Sequence, residues 1–283
     1  MYAEYRQEEL QHLHRAEMTI YKDFASICRK YDIPFFGIAG TAIGAVRHGG
    51  FIPWDDDMDL AMLREDYERF AKVMPGETKG KYILMGPDRS EKYYNLQPAM
   101  MRLGTKFVTE QAYVSGYEPG IFLDLFIYDC IPEEADARKK MLRACRILTI
   151  LYIMRNTRYF RLLHEKTAMQ NIKNFISGCI GTCLRVIPHS DEKLYAMFMK
   201  RVGSCRGKSE LYTALSDPGQ AIMWVRKDEI FPLKEVPFED STMFLIREYD
   251  AQLRRHMGEY MQIPPENKRT NHAPQILDFG KEL

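Results

Sequence analysis

A run of four carboxylates in five residues, Asp55, Asp56, Asp57 and Asp59, lies directly before the apolar segment MDLAML. That segment is short and begins abruptly, which predicts a buried strand. Alternate side chains of a strand share a face, so Asp55, Asp57 and Asp59 are expected to point one way, and Asp56 and Met58 the other. Three converging carboxylates repel one another, and a hard divalent cation, Mg²⁺ or Mn²⁺, would supply the counter-charge. The alternative is a solvated acidic turn ahead of a strand.

A glycine-containing turn lies upstream of the run. The segment PFFGIAG predicts a short buried strand, and Gly40 and Thr41 are expected to open a short helix with Thr41 as its cap. Backbone N–H groups at a helix start form an anion site, so a phosphate held there would face the carboxylates. The segment GTAIGAVRHGG lacks the GK[ST] ending of a P-loop. A plain turn glycine is the simpler alternative.

Another carboxylate interrupts the apolar segment GIFLDLFIYD, which predicts a further strand. Burying a lone charge is costly, so Asp124 needs a partner, and the strand that follows the acidic run is a natural one. Asp129 comes shortly before Pro132 and is expected to be a turn residue at the strand end.

The order of elements predicts an α+β fold with a mixed sheet flanked by helices and a mostly helical C-terminal half. The segment KFVTEQAYV is expected to be a strand, and residues 240–261 a helix. We expect a catalytic core over residues 1–132. Residues 133–283 would form a helical region and a C-terminal segment packed on that core.

Composition narrows the class of protein. The chain has 283 residues and a net charge of +1, which gives no sign of nucleic-acid binding. The N-terminal sequence does not resemble a signal peptide, and no apolar run reaches the roughly 18 residues of a membrane span. Six cysteines show no metal-binding spacing. Cys179 and Cys183 share a helical face and are expected to be small buried apolar residues. A reducing cytoplasm is the expected location.

The segment FFGIAGTAIGAVRHGGFIPWDDDMDLAMLREDYERF resembles the signature of the LicD family. The similarity lies in its Gly-Thr, Gly-Ala-x-Arg-His and Ile-Pro-Trp-Asp-Asp-Asp-x-Asp elements. GIFLDLFIYDCIP is similar to the family's second acidic strand, and FPLKEVPFED followed by HMGEYMQIPP to its C-terminal signature. Residues 137–215 match only loosely. The resemblance implies a nucleotidyltransferase-like fold, related to fukutin and fukutin-related protein.

The resemblance also implies an activity: metal-dependent transfer of a phosphorylated alcohol from a CDP-activated donor to a cell-surface or lipid-linked glycan. Phosphocholine from CDP-choline is the expected case. Asp57 and Asp59 match the family's paired metal ligands, and Asp55 matches the first carboxylate of that set, with Mg²⁺ or Mn²⁺ as the metal. Gly40 and Thr41 match the family's turn.

Charge suggests roles for the remaining residues. Arg47, His48 and Arg102 are expected to hold phosphoryl oxygens. Asp124 is either a further metal ligand or the base that receives the acceptor's proton. Trp54 either stacks on cytosine or choline or anchors the core.

A basic stretch over residues 138–161 carries eight Lys and Arg and no acid. Core helices with solvated ends are one interpretation. The other is a helix pair lying on anionic lipid at the inner face of the membrane.

Three other functions remain open. A nucleotide-sugar glycosyltransferase also uses Asp-x-Asp and a metal, although the Gly40-Thr41 turn argues against it. A prenyl or terpene synthase carries its acidic motif on a helix, which Gly50 and Pro53 disfavour here. A non-enzymatic scaffold would keep the fold without turnover.

Overall fold

The computed structural model describes residues 5–89, 93–157, 168–217, 219 and 223–281. Its mixed sheet flanked by helices confirms the predicted α+β class. The helices are α1 Gln7–Lys30, α2 Ala39–His48, α3 Arg64–Thr78, α4 Glu110–Val114, α5 Ala135–Asn156, α6 Ala168–Val186, α7 Ser190–Gly203, α8 Lys227–Ile230 and α9 Tyr249–Met257, with a 3-10 turn at Glu266–Lys268. The strands are β1 Phe36–Gly37, β2 Asp59–Leu63, β3 Tyr82–Met85, β4 Ala99–Arg102, β5 Lys106–Val108, β6 Phe122–Ile131, β7 Leu211–Ala214, β8 Val225–Arg226, β9 Lys234–Phe238, β10 Ser241–Leu245 and β11 Ile276–Asp278.

The main sheet is built around β6. Its strand order is β1-β2-β6-β4-β3, and the second half of β6 also pairs with β7, which in turn pairs with β8. The pair β2–β6 is parallel and the other pairs are antiparallel. In the parallel pair Asp59 lies opposite Asp124. The sheet thus brings together two acidic residues that are far apart in the sequence.

The two faces of the sheet carry separate apolar cores. Leu60 and Leu125 pack in the core that contains buried residues of α1 and α3. Ala61 and Phe126 pack in a second core. Because successive side chains of a strand point to opposite faces, Asp59 and Asp124 lie on the face of Ala61 and Phe126.

Helices α5, α6 and α7 follow strand β6, and both α6 and α7 pack on α5. Buried residues of α5 and α7, such as Leu148 and Phe198, form a core of their own, which also includes Leu211 of β7. Since β7 pairs with β6, the second half of the chain completes the main sheet. The division at residue 132 stays a prediction.

Three local expectations were wrong. Residues 240–261 form β10, which pairs with β9 in a hairpin, and then α9, because strand pairing prevails over the apolar spacing typical of a helix. KFVTEQAYV divides into β5 and α4. Asp129 lies inside β6 and not in a turn.

The physical reason for the position of Asp129 is an ion pair. Its fully buried carboxylate accepts hydrogen bonds of 2.8 and 2.7 Å from Arg64.

Within the described ranges, no helix is both long enough and apolar enough to cross a membrane.

Candidate active site

The acidic run has the predicted alternation of sides. Asp55, Asp57 and Asp59 are half-buried, whereas Asp56 and Met58 are buried. Strand β2 begins only at Asp59, so the alternation starts in the extended segment before the strand. Burial, followed by the charges of Asp57 and Asp56, raises the pKa of Asp55 to about 8. The charges of Asp57 and Asp56 thus act on Asp55, and convergence of Asp55, Asp57 and Asp59 on one cation stays a prediction.

Asp124 joins this group through the parallel pairing of β2 and β6. Burial and the charge of Asp57 raise its pKa to about 7, and a hydrogen bond with Gln97 opposes the shift. The pKa of Asp59 is raised well above its usual value by burial and by the charges of Asp57, Asp124 and Asp55. We call these four residues, Asp55, Asp57, Asp59 and Asp124, the carboxylate cluster.

The start of α2 lies against the cluster. The helix begins at Ala39, with Ile38 as N-cap. Thr41 is therefore not the cap; its buried hydroxyl accepts a 2.8 Å hydrogen bond from the backbone N–H of Asp59. A Cβ at Gly40 would meet an Asp55 carboxylate oxygen at 2.5 Å, so any other residue at position 40 would displace this carboxylate. First-turn amides of a helix have no intrahelical acceptor, so this end of α2 can receive an anion.

Asp56 does not belong to the cluster. Its buried carboxylate accepts a 2.6 Å hydrogen bond from the hydroxyl of Tyr5. It also accepts the backbone N–H of His272, at 2.8 and 3.0 Å from the two oxygens. Asp56 thus fastens the segment before α1 and the segment around residue 272 to one point beside the cluster.

His272 extends this link to the cluster itself. Its Nδ1 lies 3.2 Å from a carboxylate oxygen of Asp57 and 3.6 Å from one of Asp56. The two carboxylates raise the pKa of His272 to about 11, so the imidazole is protonated beside them. The sequence analysis does not single out His272, because no local pattern around residue 272 predicts a contact with Asp56 or Asp57.

Helix α1 contributes two further groups that the sequence did not single out. Glu17 is buried, and its Oε2 has no hydrogen-bond partner among the described residues. Burial raises its pKa well above the usual value, and the charges of Asp57, Asp56, Asp55 and Asp59 add to the effect.

His14, on the same helix, lies with Nε2 2.8 Å from the backbone carbonyl of Asp55, and its ring stacks on Phe51. The signal that could have identified Glu17 is a carboxylate on the apolar side of an amphipathic helix.

Arg47, His48 and Arg269 lie around Trp54 at the edge of the site, and we call these four residues the cationic rim. The guanidinium of Arg269 lies 4.3 Å from the centre of the half-buried Trp54 ring, and that of Arg47 lies 5.9 Å from it. Arg47 also donates to the carbonyls of Tyr260 and Gln262, and its Nε lies 2.9 Å from Nε2 of His48. Arg47, His48 and Trp54 are therefore brought together, and Arg269 is an addition from the tail.

Arg102 is not brought to this rim. It is buried, and its guanidinium lies 5.7 Å from the centre of the Tyr82 ring. On β4, Ala99 lies opposite Asp124 and so shares its face. Arg102 is three positions further along, which places it on the other face of the sheet.

The cluster has the donor chemistry of a site for Mg²⁺ or Mn²⁺. Oxygen ligands suit both ions, and a cation would relieve the repulsion that raises the pKa values of Asp55, Asp59 and Asp124. Within the described ranges, no three His, Cys, Asp or Glu side chains are gathered closely enough to hold an ion in this arrangement. The residues fit the cation by charge and ligand type.

Comparison with known proteins gives three similarities. Residues 32–98 match the family model described as LicD/FKTN/FKRP, nucleotidyltransferase domain. The chain is 27% identical over 261 residues to the lipopolysaccharide cholinephosphotransferase LicD of Haemophilus influenzae, covering 91% of this chain and 93% of that protein. It is also 41% identical over 54 residues to an uncharacterised protein of Rickettsia typhi, covering 19% of this chain and 18% of that protein.

Proposed function

This chain carries a LicD-family nucleotidyltransferase domain, and from that premise we propose that it is a transferase that moves phosphocholine from CDP-choline to a glycan. The acceptor would be a cell-surface or lipid-linked glycan, modified at the cytoplasmic face of the membrane. The observation that carries the proposal is the carboxylate cluster at the start of α2. The Haemophilus relative is named a lipopolysaccharide cholinephosphotransferase, which favours choline among phosphorylated alcohols.

The donor pyrophosphate would bind between the start of α2 and the cationic rim. The backbone amides of Gly40 and Thr41 would hold phosphoryl oxygens, since first-turn N–H groups favour anions. Arg47 and Arg269 would add positive charge on the other side of the donor. Burial and the charge of Arg47 lower the pKa of His48, so His48 would contribute as a neutral hydrogen-bonding group. Trp54, with Arg269 on its ring, would place an aromatic surface near cytosine or choline.

The cation would be held by Asp57 and Asp59, with Asp55 as a third ligand. When bound, it supplies positive charge against the pyrophosphate and the departing CMP. His272, whose Nδ1 lies 3.2 Å from a carboxylate oxygen of Asp57, would hold that carboxylate in place.

Transfer would form one bond and break one. The acceptor hydroxyl oxygen attacks the phosphorus that carries choline, the bond from this phosphorus to the CMP oxygen breaks, and the hydroxyl proton passes to a base. Asp124 has a pKa of about 7, close to the value that suits a base at neutral pH.

The role of Asp124 as base or as metal ligand can be separated with Asp124→Asn. A base predicts unchanged Mn²⁺ affinity and loss of the acidic limb of the pH–rate profile. A ligand predicts weaker Mn²⁺ binding.

The function itself is tested by supplying Mg²⁺, glycan acceptors and a panel of donors: CDP-choline, CDP-ribitol, CDP-glycerol, CDP-ethanolamine and nucleotide sugars. We expect CMP release, fastest with CDP-choline, and phosphocholine on the glycan. The variant for the cluster is Asp57→Asn. Its matched control is Asp240→Asn, which changes an exposed carboxylate that accepts a hydrogen bond from Lys22. Turnover of a nucleotide sugar without turnover of any CDP-alcohol would replace the proposal with a glycosyltransferase.

A further inference from the structure

Helix α6 packs on α5 with small and polar residues on its inner side. Gly181 lies so close to α5 that a Cβ there would meet the carbonyl oxygen of Met154 at 2.2 Å. Ser177 is buried one turn earlier. Arg185 donates to the carbonyls of Arg155 and Thr157 at the end of α5. This contact therefore uses little of the apolar surface of α6.

The apolar residues of α6 lie on the opposite side and are exposed. Phe175 is 73% exposed and Val186 is 78% exposed. Cys179 and Cys183, which the sequence predicts to be buried, are exposed as well. We call this surface the α6 stripe; it consists of Ile172, Phe175, Ile176, Cys179, Ile180, Cys183, Val186 and the following Ile187. The positions recur every three or four residues, so they form one continuous stripe.

A helix orientation that exposes the apolar side of α6 is unfavourable in water. Contiguous exposed apolar patches of several hundred Å² mark surfaces that bind a protein or a membrane. A helix in the core would place Phe175 and Val186 inward and Ser177 and Gly181 outward. The α6 stripe is therefore a docking surface.

Helix α6 is itself positively charged, because it carries Lys173 and Arg185 and has no Asp or Glu. Helix α5, which α6 contacts at Met154, also exposes Lys140, Arg143 and Arg146, more than two turns before that contact.

This charge distribution argues against a second copy of the chain. A two-fold contact through α6 would bring cations against the same cations, with no acid on the helix to pair with them. An anionic surface is complementary to the positive charge of α6.

The basic stretch 138–161 contributes less than its composition suggests. Arg138 donates to the carbonyls of Pro132 and Glu133. Arg155 lies 3.4 Å from a carboxylate oxygen of Asp191. Arg158 and Arg161 lie outside the described residues. In the described part of this stretch Ile147 is an exposed apolar residue, but it does not form a continuous row like the α6 stripe.

We propose that α6 lies flat on an anionic lipid surface, with the α6 stripe among the headgroups and upper acyl chains. The helix has 19 residues and is about 28 Å long. An interfacial helix buries its apolar face about 5–10 Å deep, and nearby Lys and Arg strengthen the contact with anionic lipid.

The test is sedimentation of the full chain with vesicles of phosphatidylserine and phosphatidylcholine, and with phosphatidylcholine alone, at low and high salt. We expect binding to the anionic vesicles that weakens with salt. Phe175→Asp should lower the partition coefficient about tenfold, because it places a charge in the part of the α6 stripe that would lie among the lipids. Lys173→Gln should lower it about fivefold. Leu103→Asp, at a residue 48% exposed in the first half of the chain, is the matched control and should change it less than twofold.

Two results would overturn the proposal. One is the absence of co-sedimentation with anionic vesicles at low salt. The other is a concentration-dependent rise in molar mass that Phe175→Asp abolishes while vesicle binding is absent, which would assign the stripe to a second copy. Because the assay needs no turnover, its outcome is independent of the proposed transfer reaction.

Discussion

The neighbours Asp56 and Asp57 should respond in opposite ways to the same substitution. Asp56 is buried and accepts hydrogen bonds from Tyr5 and His272. Asp57 is half-buried and adds to the repulsion within the carboxylate cluster. Asparagine preserves shape at both positions and removes the charge. We therefore expect Asp56→Asn to lower the stability of the fold and Asp57→Asn to lower the activity.

The magnitude for Asp56→Asn follows from its partners. Asparagine offers one oxygen and one NH₂ group. If the oxygen takes the place of the one that accepts from Tyr5, it also stays 3.0 Å from the backbone N–H of His272, but the NH₂ group then faces that N–H at 2.8 Å, donor against donor. The shorter charge-assisted hydrogen bond is lost and the two that remain become neutral, so we expect a loss of about 2–3 kcal/mol in the free energy of unfolding. The exposed ring of His272 adds little, since exposed ion pairs contribute at most about 1 kcal/mol.

For Asp57→Asn we expect an unchanged or slightly higher free energy of unfolding in metal-free protein, because one of several repelling charges is gone. Urea unfolding measures both variants, and hydrogen exchange at the His272 amide reports release of the tail. The reasoning is refuted if Asp56→Asn is as stable as the wild type and the His272 amide stays protected.

Three further outcomes are expected. Asp57→Asn and Asp59→Asn should each reduce CMP release on the order of 10²-fold or more, the scale for losing a group that stabilises developing charge; near-native turnover with Mg²⁺ in either variant would contradict the site. Asp129→Asn should destabilise the fold by about 3 kcal/mol or more, because it leaves Arg64 without its charged partner, whereas Asp129→Leu with Arg64→Met should recover most of the loss in urea unfolding. Because folding raises the pKa of Asp55 to about 8, the folded state binds more protons than the unfolded chain at neutral pH. The metal-free melting temperature should therefore fall as pH rises from about 4 to 8, and saturating Mg²⁺ should restore it at pH 8; a pH-independent melting temperature would argue against the cluster.

The parts of the site that the sequence predicts are those with a local signal. The alternation around Asp57 and the helix after Gly40 are read over a few residues, because strand and helix periods are short. Asp124 was found because a carboxylate in an apolar strand needs a partner. The LicD resemblance, carried by the same short segments, is confirmed.

The missed parts depend on contacts between distant segments. Asp56 and His272 are 216 residues apart, and neither has a pattern that predicts the other. Glu17 lies on the buried side of α1, where the spacing of apolar residues shows that it faces inward without showing which groups it faces. Strand β10 was mistaken for helix, since apolar residues in its segment fit either period until β9 pairs with it. Burial of Asp129 likewise depends on Arg64, which lies on another element.

The fastening of two distant segments to Asp56 also has a consequence for biosynthesis. While the chain emerges from the ribosome, Tyr5 and Asp56 appear early, and the backbone N–H of His272 appears more than 200 residues later. The contacts of His272 with Asp56 and Asp57 can therefore form only after residue 272 has been made. Contacts of such sequence separation form late, because the loop they close is entropically costly. Until then Asp57 lacks its ion pair with His272, and a polypeptide that ends before residue 272 never forms it.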